Sequence, residues 1–394
     1  MVIVYAPGAG TILLPAKPRL HGAWQQEENR PFPRLTWKLS ALLSFPRDLG
    51  EYFQSNFAFR RNLIRWHTKL LGNAVTKGSS QRVLEGRQGW LFLGDQGTIA
   101  DYRGMLPFTS QQLRHWQQSL ESRRDWLDRQ GIPYLFVVCP DKHTIYPEYM
   151  PARINRVRTQ TRLDQFLRHM EVHSKVQILD LRPALREMKK THLCYQPQET
   201  HWNGVGAFAG SQEIARQLRT RFGNLPTLTM DQCEIYQQEN AETDLLRLLG
   251  RTQVRTMMDN VRPRHGLAAQ VQWDTDRPHG RGCVLIRSRC RTAPIGRALV
   301  VCDSFATHMI PFLAELFREA LYVWSGSDNF LPADVLDLGP DVVIQEIVER
   351  ALCEMTPNLP EMPPVPADAP PAPVPGRENR RTPRQLRPPG LDGA

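Results

Sequence analysis

A serine in the last third of the chain and an acid–histidine pair near its middle are the residues whose types and spacing could do chemistry. Ser304 follows the strand-like run 299–303 and precedes a helical pattern over roughly 307–319. A serine on such a turn can present its hydroxyl as a nucleophile. Glu199 and His201 are two residues apart, so an extended loop points both side chains to one side. They could then supply a base and the group that orients it.

Both patterns also have ordinary structural interpretations. A serine in this position commonly caps the helix that follows it, and a single histidine is more often structural than catalytic. The two patterns occur together in one chain, and nucleophilic catalysis needs both, so the combination favours a serine nucleophile. The carboxyl group of Asp303 is expected to bond the amides of the turn rather than to react.

The elements that would position these residues alternate between helices and strands. Thr109 and Gln112 form a capping-box pair that begins a long amphipathic helix over 109–130, and Gly131 ends it. An all-apolar strand follows at 132–138, which is typical of an α/β unit with a parallel sheet. Similar patterns predict a hairpin at 83–93, helices at 163–172, 183–190, 204–221 and 243–250, and strands at 176–181, 270–273, 283–286, 320–324 and 341–344.

Length and composition place the chain among ordinary globular proteins. It has 394 residues, of which 41% are hydrophobic and 23% are charged. The formal net charge of +10 favours anionic partners, but the basic residues form no nucleic-acid-binding motif, so no nucleic acid is expected as a partner. Seven cysteines include no C-x-x-C pair, and Cys139 and Cys302 are expected to be buried free thiols.

The composition divides the chain into three segments. Residues 1–35 are rich in proline and glycine and are expected to be mobile, and 36–354 should form one α/β domain with a helical lead-in over 36–72. Residues 355–394 are crowded with proline and have almost no large apolar side chain, which predicts a disordered tail. No secretory signal and no apolar stretch long enough to span a bilayer is visible in the sequence.

Several short segments, taken in their order along the chain, carry a resemblance to one family. They are Asn-Phe-Ala-Phe-Arg at 56–60, Gly-Trp-Leu-Phe at 89–92, 142–151, Glu-Thr-His-Trp at 199–202, Cys-Asp-Ser-Phe at 302–305, and 340–344. Together they resemble the alginate-type O-acetyltransferases, the AlgJ and AlgX kind, which are SGNH-hydrolase-like proteins. The resemblance spans roughly residues 30–352.

The resemblance implies an α/β fold of the SGNH-hydrolase-like (flavodoxin-like) type, a parallel sheet flanked by helices. It also implies a catalytic triad of Ser304, His201 and Glu199 that moves an acetyl group through an acetyl-serine onto hydroxyls of an extracellular polysaccharide such as alginate. Neither a cofactor nor a metal is required by this chemistry. Two positions depart from the family pattern, because Glu199 stands where the family has Asp and Cys302 stands where Gly is usual.

The same resemblance implies partners and a location. The acetyl donor would be relayed by a membrane-bound acyltransferase, and the protein would be periplasmic or would face the periplasm at the membrane. The missing export signal then suggests a start site placed too late or a divergent export route. Two alternatives stay open at this point. One is an acetylesterase that uses the same triad with water, and the other is an inactive partner in polysaccharide export.

Four further side chains are weaker candidates for substrate binding. Asp141 and Lys142 follow a predicted strand, so they should lie at the same sheet edge as Ser304. They could bind substrate or pair with each other. Trp202 could stack on a sugar ring, although packing in the core is the usual role of tryptophan, and Tyr146 is similarly ambiguous.

Overall fold

The computed structural model describes residues 82–240, 243–251, 253–279, 283–324, 330–359 and 361–364. The predicted mobile segment 1–35 and helical lead-in 36–72 lie outside these residues. The chain divides into two compact units, one of residues 81–245 and 253–394 and the other of residues 1–80 and 246–252. The first unit carries the features described below. None of the helices in the described residues combines the length and apolar character that crossing a bilayer requires.

Strands and helices alternate through most of the described chain. The strands are β1 Val83–Glu85, β2 Leu91–Leu93, β3 Tyr134–Cys139, β4 Gln177–Asp180, β5 Cys233–Asn240, β6 Thr256–Pro263, β7 Gln270–His279, β8 Cys283–Arg289, β9 Ile295–Cys302, β10 Phe317–Trp324 and β11 Val342–Val348. The α-helices are α1 Thr98–Tyr102, α2 Ser110–Asp128, α3 Lys142–Ile145, α4 Arg162–His173, α5 Arg182–Met188, α6 Gly204–Phe222, α7 Asp244–Leu248, α8 Ile310–Leu313, α9 Pro332–Leu338 and α10 Ala351–Glu354.

The centre of the unit is a seven-stranded sheet in the order β4-β3-β11-β9-β10-β8-β7. Its first five strands are parallel, and β8 and β7 extend it as antiparallel strands. Every residue of β3 and β11 is buried, as expected for parallel strands that are covered on both faces. The predicted α/β fold with a central, mostly parallel sheet flanked by helices is therefore confirmed.

The sheet brings the ends of three neighbouring strands together. Strand β11 pairs with β3 on one side and β9 on the other, all parallel. Their carboxyl ends, at Cys139, Cys302 and Val348, consequently lie along one edge, which is where open α/β sheets place their ligand sites. Ser304 follows β9 at this edge.

Helix α2 shows how well local signals predict an element. The Thr109 hydroxyl accepts a hydrogen bond from the Gln112 amide, and the Gln112 side chain accepts one from the Thr109 amide. The helix stops before Gly131, which has a φ of 69°. Only glycine adopts this left-handed conformation without strain, so the predicted capping box and stop are both confirmed.

The helix predicted over 307–319 is wrong. A 3-10 turn at Ser304–His308, the four-residue α8 and a second 3-10 turn at Ala314–Leu316 occupy the first part of this segment. Pro311 lacks an amide hydrogen and would break a helix that continued through it. Residues from Phe317 onward instead form β10, because this segment pairs with β9 and β8 on both sides.

The sequence did not predict the hairpin of β5 and β6. The two strands pair antiparallel from Cys233 opposite Pro263 to Asn240 opposite Thr256. Much of β5 is exposed, so the strand lacks the alternation of apolar and polar residues that marks a half-buried strand. Helix α7, which was predicted, lies in the connection between them.

The tail boundary predicted at residue 355 also differs from the structure. The backbone carbonyls of Pro357, Asn358 and Pro363 accept hydrogen bonds from side chains of α2. One fully buried donor is Arg123, whose Nη2 lies 2.8 Å from the carbonyl oxygen and 2.7 Å from the side-chain oxygen of Asn358. Proline cannot donate an amide hydrogen bond, but its carbonyl can accept one, so a proline-rich segment can still bind a helix face. Residues 365–394 lie outside the described residues.

Truncation of the chain tests this contact. We expect a protein ending at residue 354 to lose about 1–3 kcal/mol of unfolding free energy, because the buried Arg123 loses acceptors. A protein ending at residue 364 keeps every one of these acceptors and should match the full chain. Urea denaturation of the three proteins measures the difference. Equal stability of the two truncated proteins would contradict the assigned role of residues 355–364.

Candidate active site

Ser304 and His201 lie in hydrogen-bond contact. Nε2 of His201 is 2.8 Å from Oγ of Ser304, although the residues are 103 positions apart. The imidazole is buried, whereas Ser304 is partly exposed. An accessible hydroxyl bonded to a buried imidazole is the arrangement that a serine nucleophile and its base require.

The turn that carries Ser304 is held by Asp303. Its Oδ1 accepts the Phe305 amide at 2.8 Å, and its Oδ2 accepts the Val348 amide at 2.7 Å. The expectation that Asp303 bonds turn amides is confirmed. Because Asp303 caps the turn, the Ser304 hydroxyl is left for the imidazole, and the interpretation of Ser304 as a helix cap is wrong.

The loop that carries His201 is fixed by the start of α6. Asn203 caps this helix, with its Oδ1 accepting the amides of Val205 and Gly206, each at 3.0 Å. Trp202 forms a β-bridge with Tyr195. The indole Nε1 of Trp202 then donates to the Phe305 carbonyl at 2.9 Å. This last bond ties the histidine loop directly to the serine turn.

Two carboxylates face the other nitrogen of the imidazole. Oε1 of Glu199 is 3.1 Å from Nδ1 of His201, and Oδ2 of Asp244 is 3.3 Å from it. Burial alone would lower the pKa of His201, but hydrogen bonds and charges from Asp244 and Glu199 outweigh burial and raise it to about 9. The sequence predicted Glu199 and missed Asp244, because no local pattern links residue 244 to a loop near residue 200.

The same three side chains could hold a metal ion by proximity, since their ligand atoms lie within 4.8 Å of one another. Coordination would require the lone pair of Nδ1, whereas hydrogen bonds from Nδ1 to two carboxylates require a proton there. The 3.1 Å separation of Nδ1 from Oε1 of Glu199 has the length of a hydrogen bond. The chemistry of this group is therefore that of acid and base.

The buried ammonium group of Lys142 bonds the backbone of the histidine loop. Its Nζ donates to the carbonyl oxygens of Gln196 at 3.3 Å, Pro197 at 3.0 Å and Glu199 at 2.7 Å. Burial lowers its pKa to about 7. The prediction that Lys142 binds substrate or pairs with Asp141 is corrected, because three backbone oxygens occupy its ammonium group.

The other weak candidates are also structural. Asp141 Oδ1 lies 2.5 Å from Nη1 of Arg350, and the Arg350 guanidinium lies 5.1 Å from the centre of the Phe305 ring. The hydroxyl of Tyr146 accepts the Cys194 amide at 2.9 Å. Only 4% of Asp141, 3% of Tyr146 and none of Trp202 is exposed, so the predicted contacts with substrate are corrected for these three as well.

Comparison with known proteins shows which family the chain is similar to. A family model described as an SGNH hydrolase-like domain of the acetyltransferase AlgX matches residues 83–278. The probable alginate O-acetylase AlgJ of Pseudomonas aeruginosa is 25% identical over 138 residues, which are 35% of this chain and 33% of that protein. Over these residues the chain is similar to the alginate-type O-acetyltransferase family. The match spans about a third of the length of the curated relative. These findings support an AlgJ/AlgX-like acetyltransferase domain of SGNH fold.

Among solved structures, PatB1 of Bacillus cereus shares the fold of this domain, and two others align with lower scores. PatB1 of Bacillus cereus, solved with a sulfonyl adduct, aligns with a TM-score of 0.50 and 15% identity over 70% of this chain and all of its own. The O-acetyltransferase domain of Pseudomonas putida AlgJ aligns with a TM-score of 0.45 and 18% identity, over 70% of this chain and 94% of its own. AlgX of Pseudomonas aeruginosa aligns with a TM-score of 0.46 and 17% identity, over 68% of this chain and 61% of its own.

Cys302, which stands where the alginate-type O-acetyltransferases usually have glycine, fits into the buried end of a strand. Cys302 is the last residue of β9, pairs opposite Trp324 of β10 and is buried. Burial, followed by the charges of Glu346 and Asp303, raises the pKa of its thiol well above the usual value. Cys302 is therefore a neutral core residue, and like Cys139 it is a buried free thiol, as predicted.

Replacing Lys142 with Met tests the support of the histidine loop. We expect Lys142→Met to lose about 1–3 kcal/mol of unfolding free energy, because three buried carbonyls lose their donor. Cleavage of a chromogenic acetyl ester should fall as well, since the loop carries Glu199 and His201. Lys190→Met is the matched control, because Lys190 is largely exposed and pairs only with Glu187 among the described residues. Equal stability and activity of the two variants would contradict this role.

Proposed function

We propose that the chain transfers acetyl groups through Ser304 onto hydroxyl groups of a polysaccharide. The observation that carries this proposal is the contact of Ser304 Oγ with Nε2 of His201, whose Nδ1 faces carboxylates on the opposite side. Serine, imidazole and carboxylate in this order form the chain of groups that acyl transfer uses. The match to an acetyltransferase family model over residues 83–278 supports acetyl as the group transferred.

The first step would load the enzyme. His201 takes the proton of Ser304 as Oγ attacks the acetyl carbonyl of the donor. The tetrahedral intermediate collapses when the bond to the donor oxygen breaks, and that oxygen takes the proton from His201. The products of this step are acetyl-Ser304 and the free donor alcohol. Glu199 holds the imidazole in the required tautomer and stabilises the imidazolium.

The second step would reverse the roles. A sugar hydroxyl loses its proton to His201 and attacks the carbonyl of acetyl-Ser304. The ester bond to Oγ breaks, and Oγ regains the proton from the imidazolium. The acetylated sugar leaves, and Ser304 and His201 return to their starting states.

The Ser304 amide is the proposed donor to the oxyanion of both intermediates. It donates to no acceptor among the described residues, whereas the Phe305 amide is already bonded to Asp303. The turn thus leaves one amide free next to the nucleophile. A single donor of this kind is typically worth about 10²–10³ in rate.

The acceptor, donor and location are proposals drawn from the relatives. A related protein is named a probable alginate O-acetylase, and the formal net charge of +10 suits an anionic polymer such as alginate. We propose an extracellular polysaccharide as acceptor and a membrane-bound acyltransferase as the source of acetyl groups. The site of action would be the periplasm.

Ester cleavage with and without an oligosaccharide acceptor tests the proposed function. Wild-type protein should release the chromophore of an acetyl ester and form acetylated sugar, and Ser304→Ala should lower both by roughly 10³-fold or more. Ser110→Ala is the control, because Ser110 is exposed on α2. Release of acetate alone would support an esterase. Equal rates for wild type and Ser304→Ala would support a non-catalytic partner instead.

The pH dependence provides a second test. His201 must be unprotonated to act as a base, and its pKa is raised to about 9. Below pH 9, the unprotonated fraction of His201 therefore rises about tenfold for each unit by which the pH increases. We expect kcat/KM for the ester to rise through neutral pH and to level off near pH 9. A plateau that is already reached at about pH 7 would contradict the prediction, because it would mean that the carboxylates do not raise the pKa of His201.

A further inference from the structure

We propose that Asp244 is a second positioning carboxylate for His201 and shares with Glu199 the task of holding the Nδ1 proton. The inference rests on the proposed role of His201 as the base that serves Ser304. Asp244 lies outside the acid-x-His motif, and it would share the role expected of Glu199, the acid of that motif.

Asp244 contacts the imidazole, Thr200 and Glu199. Its Oδ2 lies 3.3 Å from Nδ1 of His201 and accepts the Thr200 hydroxyl at 3.0 Å. Its backbone amide also donates to Oε2 of Glu199 at 3.3 Å. The Asp244 backbone is thus bonded to the Glu199 carboxylate, and both carboxylates contact the imidazole. Asp244 is mostly buried, with 19% of its side chain exposed.

Glu199 alone is poorly placed to hold the proton. Its Oε1 accepts the Thr200 amide at 2.8 Å and the Thr200 hydroxyl at 3.2 Å, and it also approaches the His201 amide at 3.5 Å. The longer glutamate side chain has turned its carboxylate back against its own loop. Oε1 of Glu199 is therefore shared between the imidazole and other donors. A second acceptor can then contribute to the hydrogen bonding of the Nδ1 proton.

The β5–β6 hairpin brings Asp244 to the site. Asp244 begins α7, in the connection between the two strands. The hairpin packs on the start of α6, where Gly204 lies so close to Asn260 that a Cβ on the glycine would be 2.6 Å from the Asn260 Cα. Since α6 begins just after His201, the same helix end positions the hairpin and the imidazole.

Other charged groups near His201 do not replace these two carboxylates. Asp303 lies on the serine turn, and its pKa is raised by burial, against the pull of two backbone amides. His308, on the same turn, has its pKa lowered to about 4 by burial and by the charge of His201, so it is neutral. Lys142 is held by carbonyl oxygens beneath the loop. Among the described residues, Glu199 and Asp244 are the carboxylates that contact Nδ1.

The experiment measures the His201 imidazole directly by NMR titration, with His201→Gln used for assignment. We expect Asp244→Asn to lower the pKa of His201 by about one unit, comparably to Glu199→Gln, because each variant removes one of two charges. Asp244→Glu should restore most of the shift. Asp244→Ser, which keeps a short polar side chain, is a second neutral variant in case Asp244→Asn does not fold. Asp231→Asn, at an exposed aspartate, is the matched control.

Ester cleavage gives the second readout. Asp244→Asn should lower kcat about 10–100-fold, the usual cost of losing a group that orients a reactive imidazole. Its pH profile should shift to lower pH, which a merely structural defect would not produce. The inference is overturned if both neutral variants keep the wild-type pKa and pH profile while Glu199→Gln changes them. If wild type is no more active than Ser304→Ala, the proposed function fails, and the NMR titration still decides the role of Asp244.

Discussion

The hydrogen bond between His201 and Ser304 joins two segments that share no helix or strand, and the surrounding contacts keep its two ends in place. Asp303 clamps the serine turn to the end of β11 through the Val348 amide. The indole of Trp202 ties the histidine loop to the Phe305 carbonyl. Acyl transfer tolerates little displacement of the reacting groups, so these polar contacts decide whether the serine is a nucleophile or an ordinary surface hydroxyl.

Burial around this bond sets where charge can reside. Glu346 and Glu349, at and just beyond the end of β11, have raised pKa values, in the case of Glu349 to about 8, because burial disfavours their charged forms. Burial likewise lowers the pKa of Lys142 to about 7. His201 is the exception among these groups, because two carboxylates stabilise its charged form more than burial destabilises it. The buried imidazole can therefore carry a charge in spite of its burial.

The accuracy of each expectation depended on the range of the interactions behind it. Helix α2 was predicted because its cap and its stop are local contacts. The helix predicted over 307–319 failed because Pro311 interrupts it and because β10 pairs with two strands. The hairpin of β5 and β6 was missed since much of β5 is exposed and the strand carries little apolar pattern. The weak binding candidates failed because their partners, such as the carbonyls bonded by Lys142, belong to other segments.

The sequence by itself determined the α/β class, the family resemblance and the residue types of the site, including Ser304, Glu199 and His201. Those features depend on periodicity, capping and motif spacing, which are local properties of a chain. Only the tertiary structure decided that Asp244 faces the same imidazole and that Asp303, rather than Ser304, caps the turn. The partner of a buried polar group is set by how distant elements pack, and no short-range pattern records that packing.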